Sequence, residues 1–193
     1  MRKHLLAAVL LALLAGCGGP LLFADLTIPE LAVTLPQQAF PGMAADPSRW
    51  CAGQPDCVTT DLTYDLGEQV SVLTRPDVQY ELRLTTLAIA LDAASAGTDL
   101  RGVKSASVEV FPPDGSAPVV VASYTRAASD TATPTSLAVS GDSTLDLSPF
   151  VQAGQLHARV SVSYDAPTPP FTADVRATFY LKVKLDYGKT LGL

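Results

Sequence analysis

The sequence predicts an all-β protein, an antiparallel β-sandwich formed by a single domain. Long segments alternate apolar and polar residues with a period of two, which is typical of strands that bury one face. Clusters of Gly, Pro, Asp and Ser punctuate these segments at short intervals, as turns between strands do. Helical periodicity is weak, and residues 88–100 and 149–153 are the best candidates for a short helical turn. Together these features favour a sandwich of many strands.

The strongest alternation lies near the end of the chain. Residues 175–187 are apolar at odd positions, and residues 156–164 are apolar at even positions. Both segments therefore predict strands with one buried face. The Pro-rich segment 165–170 separates them, and proline keeps such a segment out of a hydrogen-bonded ladder. We expect the two strands to pair as an antiparallel hairpin with a long connection.

Other strands follow from the same reasoning. In residues 78–91 the apolar parity changes at Thr85 and Thr86, which predicts a β-bulge or a bend there. Residues 107–111 and 118–124 flank a Pro-Pro-Asp-Gly turn and predict a hairpin. Shorter strands are predicted at 26–35, 59–64, 70–73, 136–139 and 144–147.

Composition limits the functional classes. The chain has 193 residues, of which 48% are hydrophobic and 17% charged, so it is too apolar to be disordered and suits one domain. The formal charge of −6 argues against non-specific nucleic-acid binding, which needs a basic face. We expect no nucleic-acid partner and no cofactor.

The first residues predict a secretory signal. A short basic start, Arg2-Lys3, precedes an apolar run over residues 5–14 and the small residues Ala15-Gly16. The run is too short to span a bilayer, which takes about 20 apolar residues. Residues 16–20 contain three glycines and a proline, which end the run abruptly.

Leu14-Ala15-Gly16-Cys17 resembles the lipobox of bacterial lipoproteins at every position. The resemblance implies that residues 1–16 are a cleaved signal peptide and that Cys17 carries acyl chains, palmitate among them, which anchor the protein. It also implies a place in the bacterial envelope, and Gly18, where an Asp would retain the protein at the inner membrane, implies the outer membrane. Residues 17–24 would form a short tether, 25–188 the sandwich and 189–193 a tail. The resemblance covers about twenty residues and leaves the domain itself unassigned.

The two remaining cysteines predict a disulfide. Cys51 and Cys57 enclose a short Gly- and Pro-containing loop, and an even pair in an oxidising envelope favours a structural bridge. A metal site would need two further ligands, and a redox pair usually has two residues between its cysteines. We therefore expect no metal at this pair.

The residues that support catalysis are few. Outside the signal the sequence has one histidine, His157, which alternation places on the outer face beside Arg159. Calcium is a weak alternative, prompted by Asp142 and Asp146 and by Asp56, Asp61 and Asp65, although neither group fits the calcium-loop pattern. The sequence therefore predicts no catalytic residues and a protein that is not an enzyme.

The segment 36–58 is the most unusual part of the body. It contains four prolines, together with Phe40, Met43 and the sole tryptophan, Trp50. Such a loop either docks a partner, a protein or a glycan of the envelope, or plugs one end of the sandwich with Phe40 and Trp50. The overall prediction is a membrane-anchored, non-catalytic binding or structural module. The alternatives are an envelope hydrolase that uses a pair of carboxylates and an inhibitor or immunity-type lipoprotein with an acidic face.

Overall fold

The computed structural model describes residues 23–43, 47–51, 54–75, 78–95 and 97–186, with the backbone alone at 23–24 and 185–186. The predicted signal peptide, Cys17 and the tail 189–193 lie outside the described residues. The described residues form ten strands: β1 (Phe23–Phe40), β2 (Trp50–Cys51), β3 (Gln54–Asp65), β4 (Gln79–Leu91), β5 (Val103–Val110), β6 (Val119–Thr125), β7 (Ser136–Ser140), β8 (Val151–Gln152), β9 (Gln155–Tyr164) and β10 (Phe171–Asp186). One short helix, α1 (Leu66–Gln69), and 3-10 turns at Pro47–Arg49, Ser71–Thr74, Ala93–Ser95 and Ser148–Phe150 connect them.

The strands form two antiparallel sheets, which confirms the predicted sandwich. Sheet 1 has the order β1-β10-β4-β7, and sheet 2 has the order β2-β3-β9-β5-β6, with β8 paired to β9. The eight long strands therefore follow the order of a jelly roll, in which most connections cross from one sheet to the other. Among these eight, β5 and β6 are the consecutive pair that lies side by side.

The core fills the space between the sheets, and alternation along each strand supplies it. On β10 the odd positions from Phe171 to Val183 are buried, and on β9 the even positions from Leu156 to Tyr164 are buried. The predicted parity of both segments is confirmed. Their predicted pairing is wrong, because β9 belongs to sheet 2 and β10 to sheet 1. The segment 165–170 carries the chain across the sandwich instead of turning it back within one sheet.

Two other predictions are confirmed, one made from parity and one from a turn motif. The register between β4 and β10 shifts opposite Thr178 and Phe179, which makes Thr85 the extra residue of a bulge. Its hydroxyl donates to the carbonyl of Thr178 at 2.8 Å. The β5–β6 hairpin closes through the N–H of Gly115, which donates to the carbonyl of Pro112 at 3.2 Å.

Short strands were predicted less well. The segments 26–35, 59–64 and 136–139 lie within β1, β3 and β7. The segment 70–73 is not a strand, since Asp65 caps α1 through the N–H of Glu68 and a 3-10 turn follows. The segment 144–147 is also not a strand, because Asp142 and Asp146 capture nearby N–H groups and form turns. Of the helical candidates, 88–100 holds the end of β4 and a 3-10 turn, and 149–153 holds part of another turn before β8.

The two ends of the sandwich differ. The "loop end" comprises residues 41–43, 47–51, 92–95, 97–102 and 165–170, and it adjoins the Phe40–Phe171 pair of β1 and β10. The "tether end" is where β1 begins, and there Phe23 pairs with Asp186 and Lys184 with Gln79. Because β1 runs from one end to the other, it sets the distance between them.

Candidate functional site

The loop end is organised around one buried threonine. Thr168 is 5% exposed, its carbonyl accepts from the N–H of Met43 at 2.9 Å, and its hydroxyl donates to the carbonyl of Ala166 at 3.1 Å. Gly42, at φ +64°, packs so closely that a Cβ there would lie 2.6 Å from the carbonyl carbon of Pro169. A Cβ at Gly102 would overlap the Thr168 hydroxyl. These contacts fix the segment 165–170 against the body of the sandwich.

The fixed segment forms the wall between two depressions. On one side lies an open notch of about 400 Å³, lined by Met43, Pro167, Thr168 and Pro169. On the other side lies a cleft of about 180 Å³, which the same prolines share with residues 97–102. The notch is mainly apolar, whereas the cleft carries charged side chains.

One ion pair lines the cleft, and a second lies next to the cleft in the chain. Arg101 lies 3.6 Å from Asp99, and Arg126 pairs with Asp165. The N–H of Asp165 also donates to the carbonyl of Gly102 at 3.0 Å, which ties the rim to the cleft. An apolar centre with a polar, ionised rim is the usual anatomy of a protein interface.

The three predicted loop residues are placed differently. Phe40 is 1% exposed and stacks on Phe171 with ring centroids 5.0 Å apart, so its ring belongs to the core and offers no surface to a partner. Met43 is half-buried and lines the notch. Trp50 is half-buried on β2, opposite Val58, and packs against the core. Phe40 therefore belongs to the core, whereas Met43 and Trp50 both pack against the core and Met43 also lines the notch.

The predicted disulfide is confirmed. Cys51 and Cys57 are bonded, with their Cα atoms 5.2 Å apart, and Cys57 is buried. The bond ties β2 to β3 beside Trp50, and the hydroxyl of Thr59 donates to the carbonyl of Arg49 at 3.3 Å. The two contacts hold the end of the 41–51 segment against sheet 2.

Many of the acidic residues serve the local backbone. Seven aspartates accept an N–H from a residue two or three positions later and so shape turns; they are Asp65, Asp92, Asp99, Asp114, Asp130, Asp142 and Asp146. Hydrogen bonds from Ser116 lower the pKa of Asp114, and those from Thr144 lower the pKa of Asp142. Much of the negative charge is thus explained by turn formation.

Further carboxylates form surface ion pairs. Asp61 accepts from Nε of Arg159 at 2.7 Å, and this contact raises the pKa of Arg159. The Arg159 guanidinium also lies 4.9 Å from the ring centroid of Phe111. Within the described residues, no group of three or more His, Cys, Asp or Glu side chains is arranged to hold a metal ion.

His157 lies on the outer face of sheet 2, as its parity predicts. Its Nδ1 is 3.1 Å from the hydroxyl of Thr63, the residue opposite it on β3. The side chain is exposed, and it stands two residues from Arg159 on the same face. His157 therefore forms a cross-strand hydrogen bond with Thr63.

Another depression lies at the tether end. Six residues line this groove of about 310 Å³: Gln79, Tyr80, Glu81, Asp146, Lys182 and Lys184. Two carboxylates converge here, but both are engaged. Asp146 accepts from the N–H groups of Leu82 and Ser148 at 3.0 and 2.9 Å and from the Ser148 hydroxyl at 2.8 Å, and Glu81 pairs with Arg83.

Sequence reasoning did not find the notch or the groove. The prolines at 167 and 169 are visible in the sequence, but nothing there shows that Met43 packs beside them. The outward parity of Glu81, Lys182 and Lys184 is visible too, whereas the cross-strand register that groups them is not. Alternation shows which side of a strand a residue lies on, but only the cross-strand register shows which residues lie next to each other.

Comparisons with known proteins leave the family open. No family model matches the sequence, and no curated protein matches it. Among solved structures, Cocksfoot mottle virus is similar with a TM-score of 0.44 and 7% identity over 88% of each chain. Desmodium yellow mottle tymovirus is similar with a TM-score of 0.37 and 9% identity over 88% of this chain and 89% of that one. Carbohydrate-binding modules of the β-sandwich superfamily are similar with a TM-score of 0.31 and 11% identity over 86% of this chain and 56% of that one. Likenesses this distant carry no argument about function.

In the part of the chain that the structure describes, no helix has the length and apolar character needed to cross a membrane.

Proposed function

We propose that the protein is a lipid-anchored, non-catalytic binding module of the bacterial envelope, which uses the apolar notch at the loop end to bind a protein partner. The observation that carries the proposal is the fixed notch of Met43, Pro167, Thr168 and Pro169, an apolar surface held rigid beside ion pairs. Rigidity matters because a surface that is ordered before binding loses little conformational freedom in the complex.

The predicted anchor would orient this surface. Five residues lie between Cys17 and Phe23, and the six extended steps from one to the other reach at most about 20 Å. An acylated Cys17 would therefore hold the tether end close to the bilayer. The 18 residues of β1 then place the loop end roughly 50 Å farther out, at about 3.3 Å for each strand residue less two bulges. The notch would face away from the membrane, where a partner can reach it.

The carboxylates favour a binding role over hydrolysis. A glycoside hydrolase needs one carboxyl group that can give up a proton and another that is free to attack or to activate water. In the groove that holds two carboxylates, Asp146 accepts three hydrogen bonds and Glu81 pairs with Arg83. An inhibitor with an acidic face would need a cluster of unpaired acids, whereas many of these acids cap turns or pair with cations.

The anchor is tested by mass spectrometry of the N-terminal peptide and by metabolic labelling with a fatty acid. Acylation at Cys17 and its loss in Cys17→Ser are the expected results. A full-length chain that retains residues 1–16, or labelling that persists in Cys17→Ser, contradicts the lipobox interpretation.

The notch is tested with photo-crosslinking residues at two exposed positions. A crosslinker at Pro169 should give a discrete adduct in envelopes, and Met43→Glu in the same chain should abolish it. A crosslinker at Val120, which is 50% exposed on sheet 2, is the matched control. Identical adducts from both positions, or an adduct at Pro169 that survives Met43→Glu, would refute binding at the notch.

A further inference from the structure

The groove at the tether end has opposite charges on its two sides. Strand β10 contributes Lys182 and Lys184 on one side, and β4 forms the middle with Gln79, Tyr80 and Glu81. Asp146 contributes the opposite side, because the N–H of Leu147 donates to the carbonyl of Leu82 at 2.6 Å and so holds the 145–147 segment along the free edge of β4. Cations and carboxylates therefore face each other across one depression.

The negative side is preorganised. Three hydrogen bonds from Leu82 and Ser148 fix the Asp146 carboxylate, so its position does not depend on a ligand. Glu81 is fixed by Arg83 and lies opposite Lys182 in the strand register. The phenol of Tyr80 lies in the same groove, and burial together with the charge of Asp146 raises its pKa.

The positive side has one engaged cation and one exposed cation. The ammonium of Lys182 lies 2.9 Å from a carboxylate oxygen of Asp25 on β1. Lys184 is exposed and lies between Asp25 and Gln79 in the register of sheet 1. An anionic group in the groove would meet the Lys184 ammonium first and the Gln79 amide beside it.

We propose that this groove binds a small zwitterion, with its anionic group against Lys184 and Lys182 and its ammonium group against Asp146 and Glu81. The volume of about 310 Å³ is at the lower end of the range for ligand sites, which favours a small molecule. Phosphoethanolamine has this chemistry, either free or as the headgroup of a bilayer lipid. The lipid source rests on the proposed function, since an anchor at Cys17 would hold the groove near the membrane.

The direct test is an NMR titration of the full chain with phosphoethanolamine, with inorganic phosphate alone and with ethanolamine alone. The backbone amide resonances of Gln79 and Glu81 should change their chemical shifts when phosphoethanolamine is added. Lys184→Gln and Glu81→Gln should each weaken binding by about tenfold or more, as expected for the loss of a charge-assisted contact. Lys104→Gln, an exposed lysine on β5 in the other sheet, is the matched control and should leave the affinity unchanged.

Each outcome decides the proposal. Absence of shifts at about 10 mM ligand, or equal binding by Lys184→Gln, overturns it. Inorganic phosphate that binds as tightly as phosphoethanolamine overturns the zwitterionic class, because the carboxylates then contribute nothing.

Vesicles distinguish the two sources. Unlipidated Cys17→Ser protein should sediment with phosphatidylethanolamine vesicles, and Lys184→Gln in that background should not. Binding of soluble phosphoethanolamine without vesicle binding overturns the lipid source and assigns the groove to a soluble zwitterion. The soluble titration does not involve the anchor, so failure of the groove and failure of the anchor give different results.

Discussion

Two buried tyrosines provide the sharpest test of the core. Tyr64 and Tyr164 are 2% and 1% exposed, and neither hydroxyl has a hydrogen-bond partner among the described residues. The Tyr64 ring meets Phe179 edge-on with centroids 6.2 Å apart, a contact that phenylalanine would keep. A buried hydroxyl without a partner costs about 1–3 kcal/mol. Tyr64→Phe and Tyr164→Phe should therefore each raise the free energy of unfolding at neutral pH by about 1 kcal/mol.

The same burial predicts a response to alkaline pH. Burial raises the pKa of both phenols above their ordinary value of about 10. Above pH 10 the unfolded chain loses these protons while the folded chain keeps them, so the free energy of unfolding falls as the pH rises. The slope is about 1.4 kcal/mol per pH unit for each tyrosine. Each phenylalanine variant should remove one such contribution and make the alkaline loss shallower.

Denaturant unfolding at pH 7 and between pH 9 and 11 measures both effects. A shift of the midpoint at constant m-value reports stability alone. Tyr124→Phe, at a half-exposed ring, controls at pH 7 for the removal of a hydroxyl as such. If Tyr64→Phe loses 1 kcal/mol or more at pH 7, its hydroxyl has a partner and the reasoning is wrong. An alkaline slope that both variants leave unchanged would refute the burial argument.

Three other substitutions test how the loop end is built. Phe40→Ala should cost about 3–5 kcal/mol in thermal or denaturant unfolding because it removes a buried, stacked ring; a cost below 1 kcal/mol would mean that Phe40 does not plug the sandwich. Gly42→Ala combines a positive φ with overlap on Pro169, so it should lower the free energy of unfolding more than Gly115→Ala does. At Gly115 φ is also positive, but the space is open. Equal losses in denaturant unfolding would show that the overlap is relieved. Reduction of the Cys51–Cys57 bond, or Cys57→Ser, should lower the free energy of unfolding by about 2 kcal/mol in denaturant unfolding. Either change should also alter the fluorescence of Trp50. An unchanged spectrum would show that the packing of Trp50 does not depend on the bond.

Local pattern was enough to predict which side of a strand faces inward. Alternation is a property of consecutive residues, so the parity of β9 and β10 and the bulge at Thr85 follow from the sequence. Local pattern does not show which strands lie next to each other in a sheet. A jelly roll pairs segments that are far apart in the sequence, such as Phe23 with Asp186. The prediction of a β9–β10 hairpin was wrong for this reason. The β5–β6 hairpin was predicted correctly because a tight turn in the sequence joins its strands.

Aspartate chemistry explains the strands that were predicted in error. At 144–147 the apolar and polar residues alternate, yet Asp142 and Asp146 bind backbone N–H groups that a strand would need for its ladder. The disulfide was predictable, because the spacing of the two cysteines and the signal-like start are both visible in the sequence. The notch was not predictable, since it depends on a contact between Met43 and Thr168, which are far apart in the sequence. The notch and the groove could not be predicted because one depends on a contact between loops and the other on the register between strands.

Strand β1 links both proposed surfaces, and its own edge must be controlled. It forms the outer strand of sheet 1 and pairs with β10 on one side, which leaves a long edge that another chain could join. The register of β1 shifts between Ile28 and Leu31 and again between Leu35 and Gln38, and each interval contains a proline. Proline and bulges both interrupt edge pairing, so the strand stays an extended spacer without a continuous ladder for aggregation. The second bulge is itself fixed, because the N–H of Gln37 donates to Asp174 at 2.9 Å. The strand that these irregularities interrupt also spans the distance between the proposed membrane anchor and the proposed binding surface.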